Sequence, residues 1–423
     1  MDEINTGYFK VIDNKNIYVI GDIHGDYEVF THILVDLAQV CNVENNKLVW
    51  KENNDSIIVF CGDVIHRKRF IDHVLDDENS DILILDTIFQ LQKDSKRNNG
   101  RVILIAGNHE IMSIINPEDL SYTSEKNVND NVKFFDNKDR VNEFINNSYA
   151  WVKINDTLIA HGGLCSDYLG TIQHYSDIIK NYSKDDNNII STVNNIYRKF
   201  FIKETEDDDI KKIGYSLFVE YDLDNKFKHN MFWCREWGYD EIDCENFKNN
   251  LEQIDCKKMI IAHCPQFMSP KKPKTITFQC VNGENNNYNL ARLDLGMSRC
   301  FDYNKEDQFL FYLQHNHYRK MSILKIFSKN NNMILSPKNI ITKKLSAIQY
   351  VLIKNGYTID KWKEKGLESN WLGFSYIKEY INTMKNNKKT HEGGMNNTKD
   401  VFEKLLEPVF NKQLKKELMS INY

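Results

Sequence analysis

Short runs of β-branched and aromatic residues, each of strand length and each closed by glycine, punctuate the first half of the chain. Residues 17–20 run into Gly21-Asp22, residues 57–61 into Gly62-Asp63, and residues 101–106 into Gly107-Asn108. Apolar runs of this length, bounded by turn residues, predict buried strands. Between them, residues 27–41 and 82–96 place apolar side chains at helical intervals. Strand and helix in alternation predict an α/β layered fold. Further strands are expected at 157–160, 258–262, 275–281 and 309–313. The last of these is expected to close a hairpin with 321–327 across the His-rich turn 314–317. Residues 165–230 lean helical, and the acidic run 204–209 within them reads as a solvated loop.

Past about residue 330 the apolar spacing turns helical and the charges Lys-rich. This shift predicts a first domain over 1–330 and a helical C-terminal extension over 331–423. Within the extension, 345–353 and 401–418 read as amphipathic helices that pack on protein rather than on a membrane. The segment 385–394 reads as a flexible linker between them.

A length of 423 residues leaves room for one large core or two ordinary ones. A formal net charge of -5 gives none of the basic field that bulk nucleic acid binding requires. The acidic start Met1-Asp2-Glu3 lacks a secretory pattern, and no apolar run approaches the ~18 residues needed to span a bilayer. A cytoplasmic protein with no membrane partner is therefore expected. Nine cysteines without a Cys-x-x-Cys pair or regular spacing predict buried thiols in a reducing compartment.

Five segments put a metal-ligating residue type just past a predicted strand. They are Gly21-Asp22-Ile23-His24-Gly25, Gly62-Asp63-Val64-Ile65-His66-Arg67, Gly107-Asn108-His109-Glu110, Ala160-His161-Gly162-Gly163 and Ala262-His263-Cys264. Side chains at the carboxyl ends of strands converge on one edge of an open α/β sheet. Six of the 18 glycines fall in these turns, where backbone must come close to an ion. Carboxylate, imidazole and amide oxygen together suit a borderline divalent ion such as Mn, Fe or Zn. They suit neither a thiolate cluster nor an all-oxygen calcium site.

In this order the segments resemble the motif set of calcineurin-like metallophosphoesterases. Gly107-Asn108-His109-Glu110 followed by His161-Gly162-Gly163 resembles the phosphoprotein phosphatase branch. Phe232-Trp233-Cys234-Arg235 and Ala262-His263-Cys264-Pro265-Gln266 are similar to the Trp-x-Arg and Gly-His-Thr-Pro motifs of Shewanella-like phosphatases. Residues 293–298 are similar to that group's closing strand and loop. The resemblance covers roughly residues 15–325. It implies an α/β/β/α sandwich of two mixed sheets with helices outside, and two divalent metal ions at one edge. Asp22, His24 and Asp63 would hold the first ion, with Asp63 bridging to a second completed by Asn108, His161 and His263. Such ions clamp a phosphate and activate a water. His109 would protonate the leaving group, and Arg67, Arg235 and Asn108 would hold phosphate oxygens. The implied activity is one-step hydrolysis of phosphomonoesters on phosphoprotein side chains, Ser/Thr or Tyr.

One departure from the family pattern bears on the chemistry. The family carries Asp-Arg-Gly where this chain has His66-Arg67-Lys68. That Asp pairs with the catalytic His, and His66 brings no negative charge. Either His109 is less readily protonated, or another acidic group orients it. His66 itself reads equally as a surface loop residue. Cys264, beside the late His, reads as an inert buried thiol.

Two alternatives follow. Hydrolases of dinucleoside polyphosphates or nucleotide caps also lack an Asp at this place, and would want an aromatic wall such as Trp233 or Trp237. A metal-binding scaffold without activity would have no need of Asp63, Asn108, His109 and the arginines.

Overall fold

The computed structural model describes residues 6–11, 15–45, 47–68, 79–174, 188–202, 207–219, 230–239, 241–266, 275–281, 288–298, 321–328 and 331–335. Its strands, in chain order, are β1 (Tyr8–Phe9), β2 (Ile17–Ile20), β3 (Cys41–Glu44), β4 (Lys47–Trp50), β5 (Ile57–Phe60), β6 (Arg101–Ile105) and β7 (Ser148–Tyr149). Then come β8 (Trp151–Ile154), β9 (Thr157–Ala160), β10 (Lys258–Ile261), β11 (Thr277–Gln279), β12 (Leu290–Arg292), β13 (Ile323–Ser328) and β14 (Asn331–Leu335).

Strands β2 and β5 are buried at every position, as parallel strands covered on both faces should be. They pair in parallel with each other and β5 with β6, in a six-stranded sheet ordered β14-β13-β2-β5-β6-β7. The second six-stranded sheet runs β1-β8-β9-β10-β12-β11. Its centre, β9-β10-β12, is again parallel, while β8-β9 and β11-β12 are antiparallel. Both sheets are thus mixed, and their inner faces merge in one apolar core with helices alongside, as expected of the sandwich.

The topology places the site. Strands β2, β5 and β6 end together at one edge of their sheet, and β9, β10 and β12 end together at one edge of theirs. Six carboxyl ends therefore deliver the residues that follow them. The ladders continue into the turns: Cys61 N donates to Ile20 O, Ala262 N to His161 O and Leu293 N to Ile261 O.

Several expectations change. The segment 27–41 forms the helix Tyr27–His32, which widens to a π turn over Ile33–Leu37. Strand β13 pairs with β2 on one edge and β14 on the other, and its expected hairpin partner 309–313 cannot be compared with this pairing. Residues 309–317 lie outside the described residues, and so does everything after Leu335. Strand β14 lies just past the expected boundary at 330, because β13 offers it an antiparallel edge.

The C-terminal part of the acidic run is a helix start rather than a loop. The Asp207 carboxylate accepts from Asp209 N and Ile210 N at the head of helix Asp208–Phe218, where negative charge suits the helix dipole.

The cysteine expectation is also corrected. Cys165 bonds to Cys234 and Cys244 to Cys280, partners 69 and 36 residues apart that only the fold brings together. Cys41, Cys61, Cys256 and Cys264 are buried free thiols. Among the described residues, no helix is long and apolar enough to cross a membrane.

Candidate metal centre and active site

The turns after β2 and β5 are tied to each other through backbone. Ile23 N and His24 N both donate to Asp63 O, and Gly25 N donates to Val64 O. The turn after β5 is in turn stapled to the one after β6. The Glu110 carboxylate accepts from Asp63 N, Val64 N, Ile65 N and Gly107 N at 2.8–3.2 Å. Gly107 is required by space: a Cβ there would lie 2.3 Å from Asp63 N.

Three of the candidate residues adopt left-handed backbone, with φ of 44° at His24, 50° at Asp63 and 64° at His263. For side chains with a Cβ this costs about 1–3 kcal/mol each and survives only where surroundings over-determine it. Such strain is found at functional sites.

The same network orients the rings. His24 Nδ1 lies 3.3 Å from Ile65 O and His161 Nδ1 2.7 Å from Cys61 O. A carbonyl only accepts, so Nδ1 carries hydrogen and Nε2 presents its lone pair. His24 Nε2 sits 3.8 Å from both Asp22 Oδ2 and Asp63 Oδ2, and His161 Nε2 sits 3.4 Å from Asp63 Oδ2. The His263 ring is held by the Trp233 backbone, leaving its buried Nε2 without a hydrogen bond. Two groups of possible ligand atoms result, each within 4.8 Å: His24, Asp63 and His109, and Asp63, His161 and His263. Asp63 belongs to both.

Charge supports a cation there. Burial would raise Asp63, but the His161 and His109 rings beside it hold it well below the usual carboxylate range. Burial, followed by the charges of Asp294 and Asp63, pushes Asp22 well above it. Asp294 is likewise raised by burial, and the two carboxyl groups lie close enough to share a proton. Burial, Arg235 and His161 press His263 well below its ordinary value. Asn108 Oδ1 lies 2.9 Å from His161 Nε2, two lone-pair atoms that need a proton or a cation between them. Orphaned buried Asp22 Oδ2 and His263 Nε2, in a set of imidazole, carboxylate and amide donors, fit divalent metal.

The expected site residues Asp22, His24, Asp63, Asn108, His109, His161 and His263 are all buried around Asp63. Arg235 joins them: its Nη1 donates to Tyr239 Oη at 3.1 Å and approaches Cys264 Sγ at 3.7 Å, and its charge bears on His263 and Asp294. Arg67 is placed differently. It is fully buried, with Nη1 donating to Gly25 O at 3.1 Å and lying 3.8 Å from Asp26 Oδ1. It braces the Gly25 turn. His66 is not a surface residue; it is buried and hydrogen-bonded to His109. Trp237 is no stacking wall, since it is buried against Phe247 and donates to Leu164 O.

Four further residues escaped the sequence reading. Asp294 follows β12 as Asp22 and Asp63 follow their strands, but without a preceding glycine to mark the turn. Ser113 sits one helical turn past His109, a spacing that a helix assignment would have exposed. Tyr122 and Tyr239 reach the site from loops and carried no local signal.

This chain is similar to known proteins. The family model described as calcineurin-like phosphoesterase matches residues 15–253. A curated relative, Shewanella-like protein phosphatase 1 of Plasmodium berghei (strain Anka), is 24% identical over 286 residues. That match covers 62% of this chain and 66% of the relative, just under two thirds of its length. Among solved structures, a cold-active protein-tyrosine phosphatase of a psychrophilic Shewanella species is 15% identical, with a TM-score of 0.47, over 79% of this chain and 85% of that one. A Saccharomyces cerevisiae protein serine/threonine phosphatase is 13% identical, with a TM-score of 0.39, over 78% and 84%. With more than half of its residues matched by the family model, this chain belongs to the calcineurin-like phosphoesterases, a family that works with divalent metals.

Proposed function

We propose that this protein is a metal-dependent phosphatase that hydrolyses phosphomonoesters, with phosphoprotein side chains as the substrate class. The observation that carries this reading is Asp63, shared by two groups of ligand atoms whose imidazoles are already turned toward it. Asp22, His24 and Asp63 would hold one divalent ion, and Asp63, Asn108, His161 and His263 a second. Ions of the Mn, Fe or Zn class held there would supply Lewis acidity to the phosphoryl group and to a water.

The chain's own groups do the rest. Arg235 offers a planar guanidinium to phosphate oxygens on the His263 side, where its field already bears on the ring. Asn108 offers its amide to the same oxygens. His109, with Nε2 3.8 Å from Asp63 Oδ2, gives its proton to the leaving oxygen. The named activity of the Plasmodium berghei relative favours a phosphoprotein substrate. The burial of Trp237 removes one support for a dinucleotide substrate.

The test is metal analysis of the purified full-length chain coupled to a panel of phosphoserine, phosphothreonine and phosphotyrosine peptides and diadenosine tetraphosphate. Hydrolysis of phosphopeptides, lost on chelation and restored by Mn, is the expected result. A strong preference for the dinucleotide would overturn the substrate class. No hydrolysis of p-nitrophenyl phosphate by metal-loaded protein, from about pH 5 to about pH 9, would overturn the enzyme reading.

A further inference from the structure

His109 is held by an arrangement that the family pattern does not contain. His66 Nδ1 lies 2.8 Å from His109 Nδ1, with the rings at 89° and their centroids 5.1 Å apart. Behind it, Ser113 Oγ lies 3.0 Å from His66 Nε2 and donates to His109 O, one turn back on the same helix, at 3.3 Å. Tyr122 stacks on His66 at 6.3 Å and turns its ring perpendicular to His109 at 4.9 Å. His66, His109 and Ser113 are all buried.

The direction of each bond follows from the end of the chain. A backbone carbonyl can only accept, so the single hydroxyl hydrogen of Ser113 goes to His109 O. Ser113 Oγ then has only lone pairs to offer, and His66 Nε2 must be the donor to it. A neutral His66 with hydrogen on Nε2 has a bare Nδ1. The one proton between the two facing Nδ1 atoms therefore belongs to His109. This leaves His109 Nε2, on the Asp63 side, as the atom where a proton is gained or lost.

We propose that Ser113 and His66 are positioning residues that hold His109 as the Nδ1–H donor, so that its proton to the leaving group is exchanged at Nε2. This rests on the reading of His109 as general acid. His66 takes over the acceptor half of the family carboxylate's task without its charge. When His109 releases the Nε2 proton it keeps Nδ1–H, so the bond to His66 survives and no proton has to cross between the rings.

Long-range proton–nitrogen correlation spectra of the 15N-histidine-labelled full-length chain read the tautomers directly, without substrate. The expected result is Nδ1–H at His109 and Nε2–H at His66. The reverse pair of tautomers would overturn the proposal. Ser113→Ala should mix the tautomers and lower kcat by about 10- to 100-fold with KM little changed, as for other residues that orient a working imidazole. Ser113→Thr, which keeps the hydroxyl, should restore both. A Ser113→Ala protein with wild-type tautomers and wild-type kcat would overturn the role of Ser113. Expected tautomers in a protein that hydrolyses no phosphoester would support the positioning and overturn the phosphatase reading instead.

Discussion

On its Nδ1 side His109 meets neutral partners, while around His263 the partners are charged. His66, Ser113 and Tyr122 surround the first ring. Arg235 presses on the second, with Asp294 and Cys264 beside that guanidinium and Asp22 Oδ1 3.4 Å from His263 N. Asp63 stands between them and belongs to both ligand groups. The two flanks are thus ordered by different forces. On the neutral flank, direction comes from which atom can donate. On the charged flank, direction comes from Coulomb terms in a site of low dielectric, where one cation rearranges every protonation state. A proton donor suits the first setting and a phosphate anchor the second.

The sharpest way to break this comparison is to remove what the flanks share. Asp63→Asn should bring turnover to background and lower metal content, read by elemental analysis; a variant with full metal and activity would end the bridging role. Next in size, His109→Asn should reduce kcat by about 10²–10⁴-fold with metal content unchanged. Metal loss there would instead make His109 a ligand, as its membership of the first ligand group allows. On the charged flank, Arg235→Lys should cost roughly tenfold in kcat/KM, because a point charge replaces a planar fork. An equal effect on kcat and on phosphate inhibition would place that loss in phosphate binding.

The smallest expected effect concerns Cys264. Burial, opposed by Arg235, pushes its thiol up from 9.0 to about 11. The folded state therefore prefers the protonated thiol. That preference is fully present below the ordinary value and is lost as pH rises through about 11. Native protein should leave Cys264 unmodified by iodoacetamide at about pH 8, and mass spectrometry of the labelled peptide checks this. Rapid labelling at that pH would mean the Arg235 flank opens.

Much of this was legible in the chain because the site is made at strand ends. Asp22, Asp63 and Asn108 each follow a glycine that follows an apolar run, and that local grammar survives without a structure. For Arg67 the sequence showed neighbours in the candidate site but not its contacts, in which Nη1 donates to Gly25 O and lies near Asp26. His66 misled. A histidine in a loop gives no sign that it will be buried against another ring 43 residues away. The cysteine pairs were hidden for the same reason, since Cys165 and Cys234 lie on separate turns that meet only in space.

The sequence by itself determined the strand ends, the metal-ligand types they carry and hence the family, because each depends on neighbours within a few residues. Tertiary structure alone decided what each group faces. It made Glu110 a staple for four amides, turned Arg67 into a brace, brought Asp294 beside Asp22 and set His66 behind His109. Proton affinity and hydrogen-bond direction are properties of contacts, and the widest of these contacts, Asp22 with Asp294, joins residues far apart in the chain.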